Sequence, residues 1–362
     1  MTAERDPGLA TTPAPAATPG SGVAATPASR AVPAERAGEA QLLRIEDLSV
    51  DFHTDDDVVH AVTGVTLAVA AGEIVAIVGE SGSGKTVTAM SVLRLLPKAA
   101  EVKAEAIAFR GTDLRTLSAA ELRKIRGGPV GMIFQDPMTA LNPVMTIGAQ
   151  VAEAVVLHQA RPDKKTAWQR AVELLRLVGV PDPAERVKQY PHEFSGGMRQ
   201  RAMIAMAIAN DPDLIIADEP TTALDVTIQA QVLALLKKAQ AETGAATILI
   251  THDLGIVAEL ADRVVVMYAG RVVESAGVRE LFAQPRHPYT KGLLASLPRM
   301  DVDVDQLDPI PGNPPNMADP PAGCAFHPRC PLARDRCRTD RPPLLAIGDG
   351  RTSACHYHEE LA

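Results

Sequence analysis

Apolar positions along this chain switch between a period of two and a period near 3.6, which predicts strands alternating with helices. Residues 42–52 alternate apolar and polar and carry β-branched and aromatic side chains, predicting a first strand. Residues 65–69 and 74–78 predict two more, the second running straight into a glycine-rich loop, with a helix over 86–96 behind it. A buried strand follows over 130–134 and closes at Gln135. From Pro137 to about Gln200 the pattern is helical, with helices over 147–157 and 164–177 and another opened by Ser195-Gly196-Gly197. Strand character returns over 214–217, 247–251 and 263–267, around an amphipathic helix over 226–241. Such alternation predicts a mostly parallel sheet covered on both faces, with the stretch 137–200 projecting as a helical lobe. No internal repeat is present, so one module is expected.

Composition narrows the setting. The chain has 362 residues, 46% hydrophobic and 22% charged, as expected for a globular protein with a sizeable core. A formal net charge of −8 argues against a general nucleic-acid binder. No apolar run approaches the roughly 20 residues that span a bilayer, so any membrane crossing falls to another polypeptide. Residues 1–40 are rich in Ala, Pro, Thr and Gly; they predict a disordered tail without the apolar region of a secretory signal, and hence a cytosolic chain.

Gly79-Glu80-Ser81-Gly82-Ser83-Gly84-Lys85-Thr86 fits GxxxxGK[ST] between a strand and a helix. The spacing lets backbone N–H groups turn inward as an anion nest, and the helix adds roughly half a positive charge at its N-terminus. Lys85 supplies a full charge to β and γ phosphates, and Thr86 a hydroxyl ligand for Mg²⁺. Asp218 closes an apolar strand at its carboxyl end, where α/β sheets bind ligands, and can hold Mg²⁺. Glu219, one residue on, is placed to accept a proton from water attacking the γ phosphate. Gln135 and His252 each close a further strand. Either alone is an ordinary loop side chain; together they are expected to touch Mg²⁺ and the attacking water (Gln135) and the γ phosphate (His252).

In this order the motifs resemble the ATP-binding subunits of ABC transporters over about residues 42–270. The resemblance implies an α/β P-loop NTPase fold: an ABC-type nucleotide-binding domain over 41–285, a helical subdomain over about 137–200, and a small cysteine-containing extension over 286–362. It makes residues 79–86 the Walker A loop, Gln135 the Q-loop glutamine, Ser195, Gly196 and Gly197 the signature, and Asp218 the Walker B aspartate. Glu219 becomes the catalytic base, Asp225 of Thr222-Ala223-Leu224-Asp225 the D-loop residue, His252 the switch histidine, and Phe52 the ring that stacks on adenine. ATP and Mg²⁺ are the implied ligands. The signature departs from the common LSGGQ form at Phe194 and Met198.

The phrases Phe194-Ser195-Gly196-Gly197-Met198-Arg199-Gln200-Arg201, Ala269-Gly270-Arg271-Val272-Val273-Glu274 and His287-Pro288-Tyr289-Thr290-Lys291 are similar to the oligopeptide and dipeptide importer branch. That implies an ATPase on the cytoplasmic face of the membrane, paired with a second copy or a related chain. Two transmembrane permeases and an extracytoplasmic solute-binding protein would complete the system. Nickel, opines or glycosides remain open as solutes. A soluble ABC ATPase of DNA repair or translation is the rival; it usually needs a second module, a coiled coil or a basic surface. The signature amides open a helix and so form a second anion site, which a projecting lobe would present to a partner's nucleotide.

Cys324, Cys330, Cys337 and Cys355 all lie in the tail, separated by five, six and seventeen residues. Cytosolic disulfides are not expected, and a Pro-rich, core-poor segment with clustered cysteines suggests a metal staple. The spacing matches neither tight zinc fingers nor ferredoxin runs, leaving zinc, an iron–sulfur cluster and free thiols open. The resemblance of 324–331 to peptide-importer tails implies a [4Fe-4S] cluster, with His327, His356 and His358 keeping zinc as the alternative.

Overall fold

The computed structural model describes residues 41–55, 57–159, 163–222, 226–296 and 309–361; the tail over 1–40 and the D-loop Asp225 lie outside them. Strand Gln41–His53 turns Leu43 and Ile45 inward, then Leu48 and Val50, so the buried face changes parity in mid-strand. The pairing register shifts between Ile45 and Leu48, and Asp47 takes φ 48° there. That bulge inserts one residue and lets both halves of the strand face one core.

Gln41–His53 pairs antiparallel with Val58–Ala70 on one side and with Ala100–Lys103 and Ala106–Phe109 on the other. This antiparallel sheet is a departure from the expected single, mostly parallel sheet. The strands that pair on its far side, Ala100–Lys103 and Ala106–Phe109, are four residues each and give little alternation; Ala100–Lys103 is largely exposed. Pairing to the long first strand, not local pattern, makes them strands. Val58–Ala70 likewise starts well before the expected residue 65, because Val58, Val59 and His60 ladder onto 51–53.

The second sheet is parallel at its centre, in the spatial order Arg263–Tyr268, Ile74–Val78, Ala246–Ile250, Leu214–Asp218, Val130–Ile133. Its strands read as unbroken apolar runs because both faces are covered. One face sends Val75, Ile77, Ile216, Ile248 and Val265 against the antiparallel sheet and helix Lys85–Val92. The opposite face sends Ile215, Ala217 and Leu249 against helices Ile147–Val156, Lys164–Leu177, Gly196–Ala207 and Val226–Thr243. Lys164–Leu177 buries Ala167, Ala171, Leu174 and Leu175, one stripe at helical spacing. Asp163 caps it by accepting from Lys165 N and Thr166 N.

Beyond the parallel strands, Ala269 and Gly270 both take positive φ and close a hairpin from Arg263–Tyr268 into Arg271–Gly277. Thr352–Ser353, near the carboxyl end, pairs with Glu274 and Ser275, so the cysteine-bearing extension widens the main sheet. Tyr268, Tyr289 and Phe326 pack together there with ring centroids 4.5 to 5.3 Å apart. His287 caps helix Pro288–Ala295, its Nδ1 accepting from Tyr289 N at 3.1 Å.

His287 is buried, and burial pushes it down to about 3 from its ordinary 6.5. Its folded-state value lies below the unfolded one, so the unfolded chain takes up the proton first. The resulting stability is complete above about pH 6.5 and is lost as pH falls towards about 3. The expected outcome is a chemical-denaturation midpoint that drops between about pH 7.5 and about pH 5, with a slope contribution of up to about 1.4 kcal/mol per pH unit. His287→Asn retains a capping acceptor but cannot titrate, and should flatten that dependence; equal slopes for the two proteins would refute it.

Candidate functional site

The phosphate loop leaves strand Ile74–Val78 and enters helix Lys85–Val92 with its glycines in conformations other residues resist. Gly82 has φ 75° and Gly84 φ 96°. A side chain at Gly84 would meet the Ala61 carbonyl at 2.6 Å, and one at Gly79 would run into the Met267 carbonyl. The loop is therefore pressed between Val58–Ala70 and the end of Arg263–Tyr268. Gly270 N donates to Ser83 O at 3.1 Å, tying the loop to the hairpin turn.

Three features fit this cradle to a polyphosphate. The Ser83 hydroxyl is buried with no hydrogen-bond partner. Lys85 Nζ donates to the carbonyls of Gly79 at 2.8 Å and Glu80 at 2.9 Å, folded across the loop. Thr86 Oγ1 donates to Asp218 Oδ1 at 3.0 Å, which brings the two expected Mg²⁺ ligands together. Burial lowers Lys85 against the pull of Glu219, Asp218 and Glu80. Burial also raises Asp218, opposed by the Thr86 hydroxyl and reinforced by the nearby charge of Glu219.

Glu219 sits one residue beyond the strand at φ 44°, a left-handed conformation, with its N–H donating to Ile250 O at 2.9 Å. Three side chains converge on its carboxylate. Gln135 Nε2 donates to Oε2 at 2.9 Å, Thr222 Oγ1 donates to the same oxygen at 2.9 Å, and His252 Nδ1 lies 3.5 Å from Oε1. Burial works against ionising Glu219, but the Thr222 hydroxyl and the charges of His252 and Lys85 outweigh it and hold the carboxyl below its usual range. The result is an ionised base aimed at the loop, with its neighbour Asp218 biased the other way. Strained backbone of this kind persists where surrounding contacts over-determine it.

Ser195 caps helix Gly196–Ala207, its hydroxyl accepting from Met198 N at 3.3 Å, and both Ser195 and Gly196 are exposed. That helix belongs to the helical lobe. Among the described residues no hydrogen bond joins 195–197 to 79–86. Phe52 lies half-buried opposite Val59 and Ala100 and packs on the core between the sheets. Thr222 and the partners of Glu80 escaped the sequence reading. Glu80 faces away from the nest: its carboxylate takes both Nη groups of Arg329, at 2.7 and 3.0 Å, and its N–H donates to Tyr289 Oη at 2.8 Å.

The expected metal staple is overturned. Cys324, Cys330, Cys337 and Cys355 are free thiols lining one pocket, yet among the described residues no three His, Cys, Asp or Glu are grouped so as to hold a metal ion. Burial raises Cys324 and Cys330 and pushes Cys355 up to about 11. Of the histidines that kept zinc open, His327 pairs through Nδ1 with Cys324 O and His356 through Nε2 with Asp340 O, both at 2.9 Å. Neither the iron–sulfur cluster nor zinc stands.

Because Gly84 combines positive φ with a backbone carbonyl beside it, Gly84→Ala should weaken ATP binding by about tenfold or more. Far-ultraviolet circular dichroism should stay unchanged; fluorescence titration with an ATP analogue measures the loss, and wild-type affinity would contradict this account of the loop.

The ABC transporter family pattern matches residues 62–222, and that of the oligopeptide/dipeptide transporter C-terminal region matches 273–337. The chain is 55% identical over 315 residues to the oligopeptide transport ATP-binding protein OppD of Mycobacterium tuberculosis, covering 87% of this chain and 51% of that one. It therefore spans about half the length of the mycobacterial relatives it matches. Against the dipeptide transport ATP-binding protein DppD of Escherichia coli it is 51% identical over 316 residues, covering 87% and 96%. A solved dimeric ATP-binding cassette in a post-hydrolysis state with ADP and Pi has a TM-score of 0.57 at 28% identity, covering 66% of this chain and 99% of that one. A cassette from Clostridium perfringens, part of an ABC transporter complex, also scores 0.57 at 28% identity, covering 68% and 92%. Motif geometry and sequence agree: this chain belongs to the ABC transporter family, in its oligopeptide/dipeptide transporter branch.

Proposed function

We propose that the chain is the ATP-hydrolysing subunit of an importer of di- and oligopeptides, working with a second ATPase subunit against two transmembrane permeases. The observation that carries the reading is the convergence of Gln135, Thr222 and His252 on an ionised Glu219 beside the Thr86–Asp218 pair. In the reaction Lys85 leaves the loop carbonyls for the phosphates. Glu219 accepts a proton from the attacking water, which Gln135 and His252 orient. Thr86, Gln135 and Asp218 would hold Mg²⁺, whose charge offsets that of the phosphates. Phe52 stacks on adenine.

Ser195, Gly196 and Gly197 serve the nucleotide of the partner subunit, a junction to which the family resemblance also assigns Asp225. The exposure of Ser195 and Gly196 at a helix start supports this division, as does the dimeric state of the related solved cassette. ATP held from both sides favours the closed pair, and loss of the γ phosphate reopens it. The segment after Gln135 carries the motion to the permease. Its exposed Met138 and Val144, with exposed Phe134 just before it and Leu157 further on, support an apolar docking face there. Among the described residues no helix is long and apolar enough to cross a membrane, so spanning falls to the permeases. The chain would act at the cytoplasmic face, and an extracytoplasmic solute-binding protein would deliver the peptide. The names of the relatives support peptides as cargo.

Glu219→Gln should lower steady-state ATP turnover by about 100-fold or more while retaining ATP binding, and should accumulate as a closed pair on size-exclusion with light scattering. Wild-type turnover in that variant would refute the role of Glu219. Turnover per chain should also fall as the wild-type protein is diluted; a rate independent of concentration in a monomeric sample would refute the shared site.

A further inference from the structure

An acidic residue inside a phosphate loop is an electrostatic liability. The loop gathers amides and Lys85 to hold a polyanion, and Glu80 adds a negative charge whose field reaches Lys85. The structure offsets this charge from outside the loop. Arg329, far along the chain in the cysteine-bearing extension, meets the Glu80 carboxylate with both Nη groups.

The guanidinium is fixed on every side. Nε donates to Pro311 O at 2.9 Å, Nη2 also faces Ile310 O and Nη1 also faces Tyr268 Oη, each at 3.4 Å. Its Cζ lies 5.8 Å from the Tyr268 ring centroid and 6.0 Å from that of Phe326. Arg329 is only 8% exposed, so this pair is shielded in a way that surface ion pairs are not. Tyr289 completes the contact by accepting the Glu80 N–H, which points out of the nest.

We propose that Arg329 is a positioning residue of the nucleotide site: it cancels the Glu80 charge and, with Tyr289, braces the outer face of the phosphate loop, so that ATP affinity depends on the extension being seated. A planar fork suits this task, since it binds both carboxylate oxygens at once. Removing the guanidinium leaves Glu80 as a bare charge beside the bound phosphates. Removing both partners leaves no bare charge.

The inference rests on the ATP-site reading, and the test separates the two. ATP and adenosine affinities of the full chain are measured calorimetrically without Mg²⁺, so that hydrolysis does not intrude. Arg329→Met should weaken ATP binding by about tenfold, leave adenosine binding unchanged, and lose less at high salt. Glu80→Gln combined with Arg329→Met should return ATP affinity to within about twofold of wild type. A merely structural contact would predict no such rescue. Unchanged ATP affinity in Arg329→Met, or failure of the double variant to recover with its fold intact, overturns the inference. If Arg329→Met does not fold, Arg329→Lys carries the test: it keeps the charge but loses the two-pronged fit, so the loss should stay below about tenfold, and a loss of about tenfold or more with intact fold overturns the charge argument. A wild-type chain that binds no ATP would instead sink the ATP-site reading itself.

Discussion

A loop that turns its amides inward for an anion must have its carbonyls and outer face satisfied by something else, and much of this fold serves that requirement. Lys85 covers the carbonyls of Gly79 and Glu80 from within. Gly270 N, from the hairpin turn, takes the Ser83 carbonyl. Tyr289 and Arg329 take the N–H and carboxylate of Glu80. The glycines permit this enclosure because neighbouring backbone leaves no room for a Cβ at Gly79 or Gly84. A cradle supported on all sides loses little entropy when it takes its ligand, which is how preorganised sites gain affinity.

The two adjacent carboxylates show how environment divides labour. Asp218, at the buried end of its strand, is pushed up by desolvation and bonded to Thr86. Glu219 turns out of the strand at φ 44° towards a hydroxyl, an amide and an imidazole, which keep it ionised. One residue of separation is enough because a strand end permits an abrupt change of direction. The Ile250 carbonyl anchors that turn through the Glu219 N–H. The helix Gly196–Ala207, which Ser195 caps, packs on a core distinct from that of helix Lys85–Val92 behind the loop.

Much of this was legible along the chain. Strand Ile74–Val78, helix Lys164–Leu177, the glycine loop, Asp218, Glu219, Gln135 and His252 lie where the sequence pattern puts them. The antiparallel sheet was not, because Ala100–Lys103 and Ala106–Phe109 become strands only by pairing with Gln41–His53. The cysteines were misread: closeness in sequence suggested a ligand set, but they are free thiols and no metal-holding group forms among the described residues.

The sequence by itself determined the elements whose chemistry is carried by near neighbours: the turn, the amides, the lysine and the paired acids occupy consecutive positions, and local geometry follows from them. Only the tertiary structure decided which distant groups meet. Gln135 reaches Glu219 across 84 residues, and Arg329 reaches Glu80 across 249. Such pairings depend on strand order and on how the extension joins the main sheet. Those depend on the summed burial of many side chains, a quantity that no short stretch of sequence contains.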